Sequence, residues 1–340
     1  SHACPRHTAG HGPAPLPEAA GVQLQPLLCT TLPAPGVDQE LGQPLMPGKR
    51  EPDFCYTCIE GIRIPALLLV VACGIIVALL LPPIAQPASY HNFADQRSLF
   101  GIPNVWDVTS NLAFILAGAV GLAGVFGKAF SRCALSPAYG IFFGATILIG
   151  LGSGWYHLEP NNETLVWDRL PIAMAFMSFL AIIIGEYIDM TTGRRLLMPL
   201  VLLGVLSVWY WHVTESAGHG DLRPYVLVQF LPLPLILLIA WTYPDPGKAG
   251  RYLLAVLVLI ILSRAAELFD GMLLATTGII SGHTLKHLLA ALAVWFAWRW
   301  LKARYTCHGP VMCTARTNRG FPGCPANPGD GEDRQEGELS

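Results

Sequence analysis

Charge is what this chain has least of. Asp, Glu, Lys and Arg make up 13% of 340 residues, hydrophobic residues reach 53% and mean hydropathy is +0.47, which is the composition of a membrane protein. The formal net charge is only -2 and no basic patch interleaved with aromatics occurs, so bulk attraction to nucleic acid is excluded. No internal repeat stands out. Of the nine cysteines, Cys55 and Cys58 form a C-x-x-C pair, and without a matching second pair that motif is too weak to assign a metal or redox site.

Long apolar runs are what is abundant. The segment IPALLLVVACGIIVALLLPP, residues 64–83, carries no charge over twenty residues. At about 1.5 Å per residue that is enough to cross a hydrocarbon core of about 30 Å. Similar runs at 108–127, 137–157, 170–188, 196–213, 224–242, 252–269 and 282–301 bring the expected helices to eight. The expected fold class is all-α and polytopic, with Gly118, Gly121, Gly124, Gly140, Gly144 and Gly150 suited to tight helix packing. The 64–83 run exceeds a signal-peptide core and PPIAQPAS is a poor cleavage site, so it is read as a retained helix. Residues 1–60 and 304–340 are expected to be disordered extensions of a transmembrane domain at 61–303.

The basic residues divide by side. Lys49, Arg50, Arg63, Lys128, Arg132, Arg194, Arg195, Lys248, Arg251, Arg299, Lys302 and Arg304 fall on one side of the eight spans, against Arg97, Arg169 and Arg223 on the other, a tally of 12 to 3. The positive-inside rule therefore predicts that both termini are cytoplasmic. Cys4, Cys29, Cys55, Cys58, Cys133, Cys307, Cys313 and Cys324 then face a reducing compartment, with Cys73 inside a helix, so disulfides are not expected. They are read as acylated or free juxtamembrane thiols.

Against this background a few polar residues stand out. In GSGWYHLEPNNETLVWDRLP, residues 152–171, Ser153 and His157 are four apart near the outer end of the third helix, and so share a face. Asp168 is read as opening the fourth helix on the same outer side, and His283 and His287, again four apart, begin the last helix. The third helix runs outward and the last inward, so four residues of rise, about 6 Å, set Ser153 deeper than His157 and His287 deeper than His283. If the two helices are neighbours, the imidazoles surround one point, as in a three-ligand zinc site with one position left for water. An ionised Asp168 and bound hydroxide would offset the +2 charge of such an ion near hydrocarbon. Zinc lowers the pKa of its water to about 7, Asp168 is suited to take the proton, and Ser153 to donate to an oxyanion on an attacked carbonyl.

Each of these residues also has a plainer role. Asp168, followed by Arg169 and Pro171, suits an N-cap, and Ser153 can bond the carbonyl four residues back. His212, Trp155, Tyr156 and Trp167 read as interfacial side chains. An ion pair between Arg264 and Glu267 is the first reading of SRAAELFDG, with a bond from Glu267 or Asp270 to a metal-bound imidazole as the sharper alternative. Lys286 is read as snorkelling. The Asn162-Glu163-Thr164 sequon is expected in an outward loop.

S-x3-H, an aspartate eleven residues beyond that histidine, and H-x3-H on the last helix resemble the alkaline ceramidase family. That family belongs to a superfamily of seven-helix membrane hydrolases and related receptors. The segment NVWDVTSNLAFILAG resembles the family's opening helix, and the likeness runs from about residue 90 to 301. The resemblance implies a seven-helix core, to which 64–83 adds one N-terminal transmembrane helix. It also implies a zinc-dependent amidase that cleaves the N-acyl bond of ceramide, with lipid substrate drawn from the bilayer. His157, His283 and His287 match the zinc ligands, Asp168 the proton-transfer carboxylate and Ser153 the oxyanion-stabilising serine. Eukaryotic members carry an acidic, Trp-containing calcium-binding stretch where this chain has SYHNFADQRSLFGIPN. Asn104 replaces a glutamate there, and Asp95 and Asp107 do not restore the pattern, so calcium is not predicted and a different N-acyl lipid remains open as substrate. The rivals are a non-catalytic, receptor-like member with structural zinc, and a b-type haem protein, which histidines four apart on one helix serve badly.

Overall fold

The computed structural model describes residues 54–127, 130, 133–243 and 249–308. The expected tails at 1–53 and 309–340, together with Cys4, Cys29, Cys313, Cys324, Lys128, Arg132 and Lys248, lie outside those residues, as do the side chains of Cys55, Cys58 and Cys307. Within them the chain is helical and forms no strand. The helices are α1 (Phe54–Leu80), α2 (Val105–Ser110), α3 (Leu112–Val125), α4 (Ser136–Leu158), α5 (Asn162–Tyr187), α6 (Met190–Ser216), α7 (Arg223–Phe230), α8 (Pro232–Thr242), α9 (Gly250–Leu268), α10 (Asp270–Thr277) and α11 (Gly282–His308).

These helices make the eight expected rods, several of them broken. A break at Asn111 separates α2 from α3, and one at Leu231, before Pro232, separates α7 from α8, where proline withholds a backbone N–H. Six spans are long and apolar enough to cross a membrane by composition, and a seventh if α9 and α10, bent by 80°, count as one. The remaining rod, α11, is 27 residues long, about 40 Å at 1.5 Å per residue. Its His283, Lys286 and His287 at one end and Arg299, Lys302 and Arg304 at the other keep it out of that class. Helix extends past both domain boundaries expected from the sequence, since α1 begins at Phe54 and α11 ends at His308. At the second boundary Arg304 and Tyr305 are held by Glu186 of α5 (2.9 and 3.1 Å).

Helix α5 is the axis of the bundle. It packs against α4, α6, α7 and α8, while α11 packs against α9 and α3, and 72% of the α5 span is buried against 0% for α1. The core is one cluster of Phe142, Phe143, Phe179, Ile182, Leu257, Val294, Trp300 and their neighbours, with a second around Trp211, Tyr156 and Leu165. Helix α1 lies at the edge, where Gly74 meets Leu227 and Leu231.

Candidate metal centre

Chain direction brings the C-terminal end of α4, the N-terminal end of α5 and the N-terminal end of α11 to the same end of the bundle. Two glycines let the backbones there approach. A Cβ on Gly152 would sit 2.1 Å from the carbonyl oxygen of Trp167, and one on Gly282 would sit 2.0 Å from that of Ala266. Both separations are far inside van der Waals contact, so glycine next to Ser153 and glycine next to His283 are conditions of the packing.

The start of α5 corrects three expectations. Asn161 is its N-cap, accepting from the Thr164 N–H at 2.9 Å, and Thr164 Oγ1 accepts from the Asn161 N–H at 3.3 Å to close a capping box. Asp168 is therefore well inside the helix rather than its cap, and Arg169, counted above among the basic residues flanking the spans, is a buried helical residue. The sequon opens the helix: Thr164 is buried, and the Asn162 side chain meets His91 Nε2 at 3.0 Å. No outward loop forms there because the Asn161 and Thr164 side chains satisfy N–H groups that solvent would otherwise take. Pro171, which the sequence placed near the helix start, lies inside α5.

His157, His283 and His287 converge as their spacing predicts. All three are buried, one ligand atom of each lies within 4.8 Å of the others, and the ring centroids are 4.8, 5.0 and 4.8 Å apart. His157 Nε2 and His283 Nε2 are 3.3 Å apart. An ion held tetrahedrally by imidazoles at about 2.0–2.1 Å sets its nitrogens about 3.3–3.4 Å from each other, so this pair already has the spacing of two ligands of one metal. Phe93 covers the cluster, 4.5 Å from the His157 ring and 4.8 Å from that of His283.

A second set of polar groups holds the rings. Ser110 Oγ donates to the Asp107 carbonyl at 3.0 Å and lies 2.8 Å from His287 Nδ1. Its one proton is thereby committed, so it accepts from Nδ1–H and leaves Nε2 of His287 with a lone pair for the cluster. The Asp107 carboxylate, fully buried, accepts from Thr284 at 2.6 Å through Oδ1, while Oδ2 is unpartnered. His157 Nδ1 is likewise unpartnered, and Asn104 Nδ2 donates to the His157 carbonyl at 2.9 Å. Three buried imidazoles whose ligand atoms lie within 4.8 Å of one another form a donor set that a divalent cation fits.

The carboxylates on α9 and α10 serve the helix ends. Asp270 accepts through Oδ1 from the His283 N–H at 2.7 Å and through Oδ2 from the Ala94 N–H at 3.1 Å, and so orients the first turn of α11 by its backbone rather than by an imidazole. Glu267 pairs with Arg264 at 2.9 Å, as expected, and also with Lys286 at 2.8 Å. Lys286 does not snorkel. Its ammonium turns inward to Glu267 and approaches His283 Nε2 at 3.0 Å, a place it must leave when that nitrogen takes a metal.

Beside the cluster lies a cavity of about 150 Å³, walled by apolar residues including Phe142, Ile149, Phe179, Leu257 and Val294. Its polar lining includes Ser153 on α4, Asp168 on α5, His287, Lys286 and Arg264. The five residues read from the sequence thus assemble at one place. Ser110, Phe93 and the inward Lys286 were missed as parts of it. Ser110 and Asp107, polar and three apart within an apolar span, carried a signal, since such groups face a partner inside the bundle. Phe93 and Lys286 carried none. His212, read as interfacial, is a partly exposed side chain 3.7 Å from Glu163.

No family model matches the chain, and no curated protein matches it.

Proposed function

We propose that this chain is an intramembrane zinc-dependent amidase that hydrolyses the N-acyl bond of ceramide or a related N-acyl lipid. One observation carries the reading: a buried cluster of His157, His283 and His287 opens through His287 onto an apolar cavity that also presents Ser153 and Asp168. Zinc held by the three imidazoles would supply Lewis acidity and activate water at ordinary pH. The other roles belong to the chain. Asp168 accepts a proton from the attacking water and passes it to the leaving amine. Ser153 donates to the carbonyl oxygen as it gains charge. The apolar walls take the acyl chain and exclude water from it. The charge asymmetry of the connections supports an extracytoplasmic location for this end of the bundle and cytoplasmic termini.

The test is turnover of a fluorescent N-acyl sphingoid by zinc-loaded protein in detergent. Wild type is expected to release fatty acid and sphingoid base, and Asp168→Asn to be slower by about 10²–10⁴-fold with its metal retained. A receptor-like protein with structural zinc would hold the metal and release nothing.

A further inference from the structure

Two cations and one anion stand in a row at the cavity. Arg264 and Lys286 both line it, and Glu267 lies between them, with Oε2 on Arg264 Nη1 and Oε1 on Lys286 Nζ. One positive charge is left unmatched by this group. Asp168, on α5, is set against both Lys286 and its own neighbour Arg169, and with Arg169 counted it adds one charge of each sign, which leaves that excess unchanged. Only Nη1 of the Arg264 guanidinium is used by Glu267; the rest of a rigid donor fork remains for a ligand. An unmatched charge at this depth is costly unless the occupant answers it.

Position narrows the occupant. Lys286 follows His283 by three residues on α11 and keeps Glu267 at 2.8 Å when it gives up the imidazole nitrogen, so the cations begin close to where the amide would react. An anionic group that meets them must be close to the scissile bond. In an N-acyl α-amino acid the carboxylate carbon is two bonds from the amide nitrogen, about 2.5 Å away by standard bond lengths. It takes the place where a sphingoid base has a neutral hydroxymethyl group. A carboxylate also matches a guanidinium in geometry, and as a monoanion it matches the charge left over. A phosphate dianion would bring excess charge against Glu267.

We infer that the preferred substrate is an N-acyl α-amino acid, its carboxylate bound by Arg264 and Lys286. This rests on the amidase reading. Water adds across the amide: its oxygen goes to the acyl carbon, the C–N bond breaks, and a fatty acid carboxylate and a zwitterionic amino acid leave with charge and protons balanced.

The experiment compares N-oleoylglycine with its methyl ester, by hydrolysis and by binding, on wild type, Arg264→Gln and Glu267→Gln, with thermal unfolding as a check on the fold. Wild type should bind and hydrolyse the acid at least tenfold better than the ester. Arg264→Gln should bring the acid down to the level of the ester by raising KM, a larger loss for the acid than for the ester. Glu267→Gln, which leaves the cations unopposed, should widen the preference. Equal binding of acid and ester by wild type overturns the inference, as does an Arg264→Gln loss shared equally by both, which would assign the cations to the common fatty acid product. Hydrolysis of neither lipid, nor of ceramide, sinks the amidase reading instead, and the binding ratio still decides whether the carboxylate is recognised.

Discussion

In the proposed metal centre Ser110, 2.8 Å from His287 Nδ1, is the group outside the cluster that would leave Nε2 of that ring to the ion. Ser110→Ala removes the acceptor 2.8 Å from Nδ1 and is expected to weaken metal affinity by about 10–100-fold, read by competition with a chelator; unchanged affinity would show that the ring is held by packing against Phe114 alone. A different residue-scale device recurs in the loops. In Asp95-x-Arg97 and Asp221-x-Arg223 the carboxylate takes the Arg Nε at 2.8 Å in both cases and the backbone N–H at 3.2 and 3.1 Å. Arg97 then donates to Ile279 O and Arg223 to Leu81 O, both at 2.7 Å, which ties a distant segment to the loop. Hydrogen bonding to Arg97 holds the Asp95 carboxyl below its ordinary value of 3.8. A lowered folded-state value means that the stabilisation is full above the ordinary value and is lost as pH falls through the lower one. Hydrogen exchange at Gly278 and Ile279 should therefore accelerate below about pH 4, and Asp95→Asn should show the fast exchange already at neutral pH.

At the scale of the element, the apolar runs and the S-x3-H and H-x3-H spacings made the helices and the histidine cluster legible before any coordinates, because both follow from helical period and span length. The start of α5 was not legible. NNET reads as a polar loop, yet Asn161 and Thr164 cap a helix with those same side chains, and this moves Asp168 from a helix end to a helix interior. The inward turn of Lys286 was hidden for another reason: its partner Glu267 is on a different helix, and period within one helix cannot reveal a pairing between two. What fixes the site at this scale is contact between backbones. Gly152→Val would drive a side chain into the Trp167 carbonyl, 2.1 Å from the new Cβ, and should cost at least the about 1–3 kcal/mol typical of overpacking. It should also part Ser153 from Asp168. Loss of amidase activity together with a lowered unfolding temperature is the expected outcome, whereas Gly140→Ala, with open space at its Cβ, should leave both unchanged.

Over the described residues, a buried α5 with the site at its N-terminal end organises everything else, and the charge asymmetry of the connections is the ground for proposing that this end is extracytoplasmic. Thr192 at the start of α6 and Gly218 beyond its end are both exposed, at opposite ends of the bundle. A cysteine at Gly218 should react with a membrane-impermeant thiol reagent added outside cells and one at Thr192 should not; the reverse pattern would turn the site to the cytoplasm. The claim on which the rest stands is that His157, His283 and His287 hold one ion, and metal analysis of the purified protein tests it most directly. The account predicts one zinc per chain in wild type and loss of that zinc in His157→Ala and His287→Ala, with the Gly140→Ala protein fully loaded. Wild-type protein that takes up no stoichiometric metal, or histidine variants that keep all of it, would contradict the account.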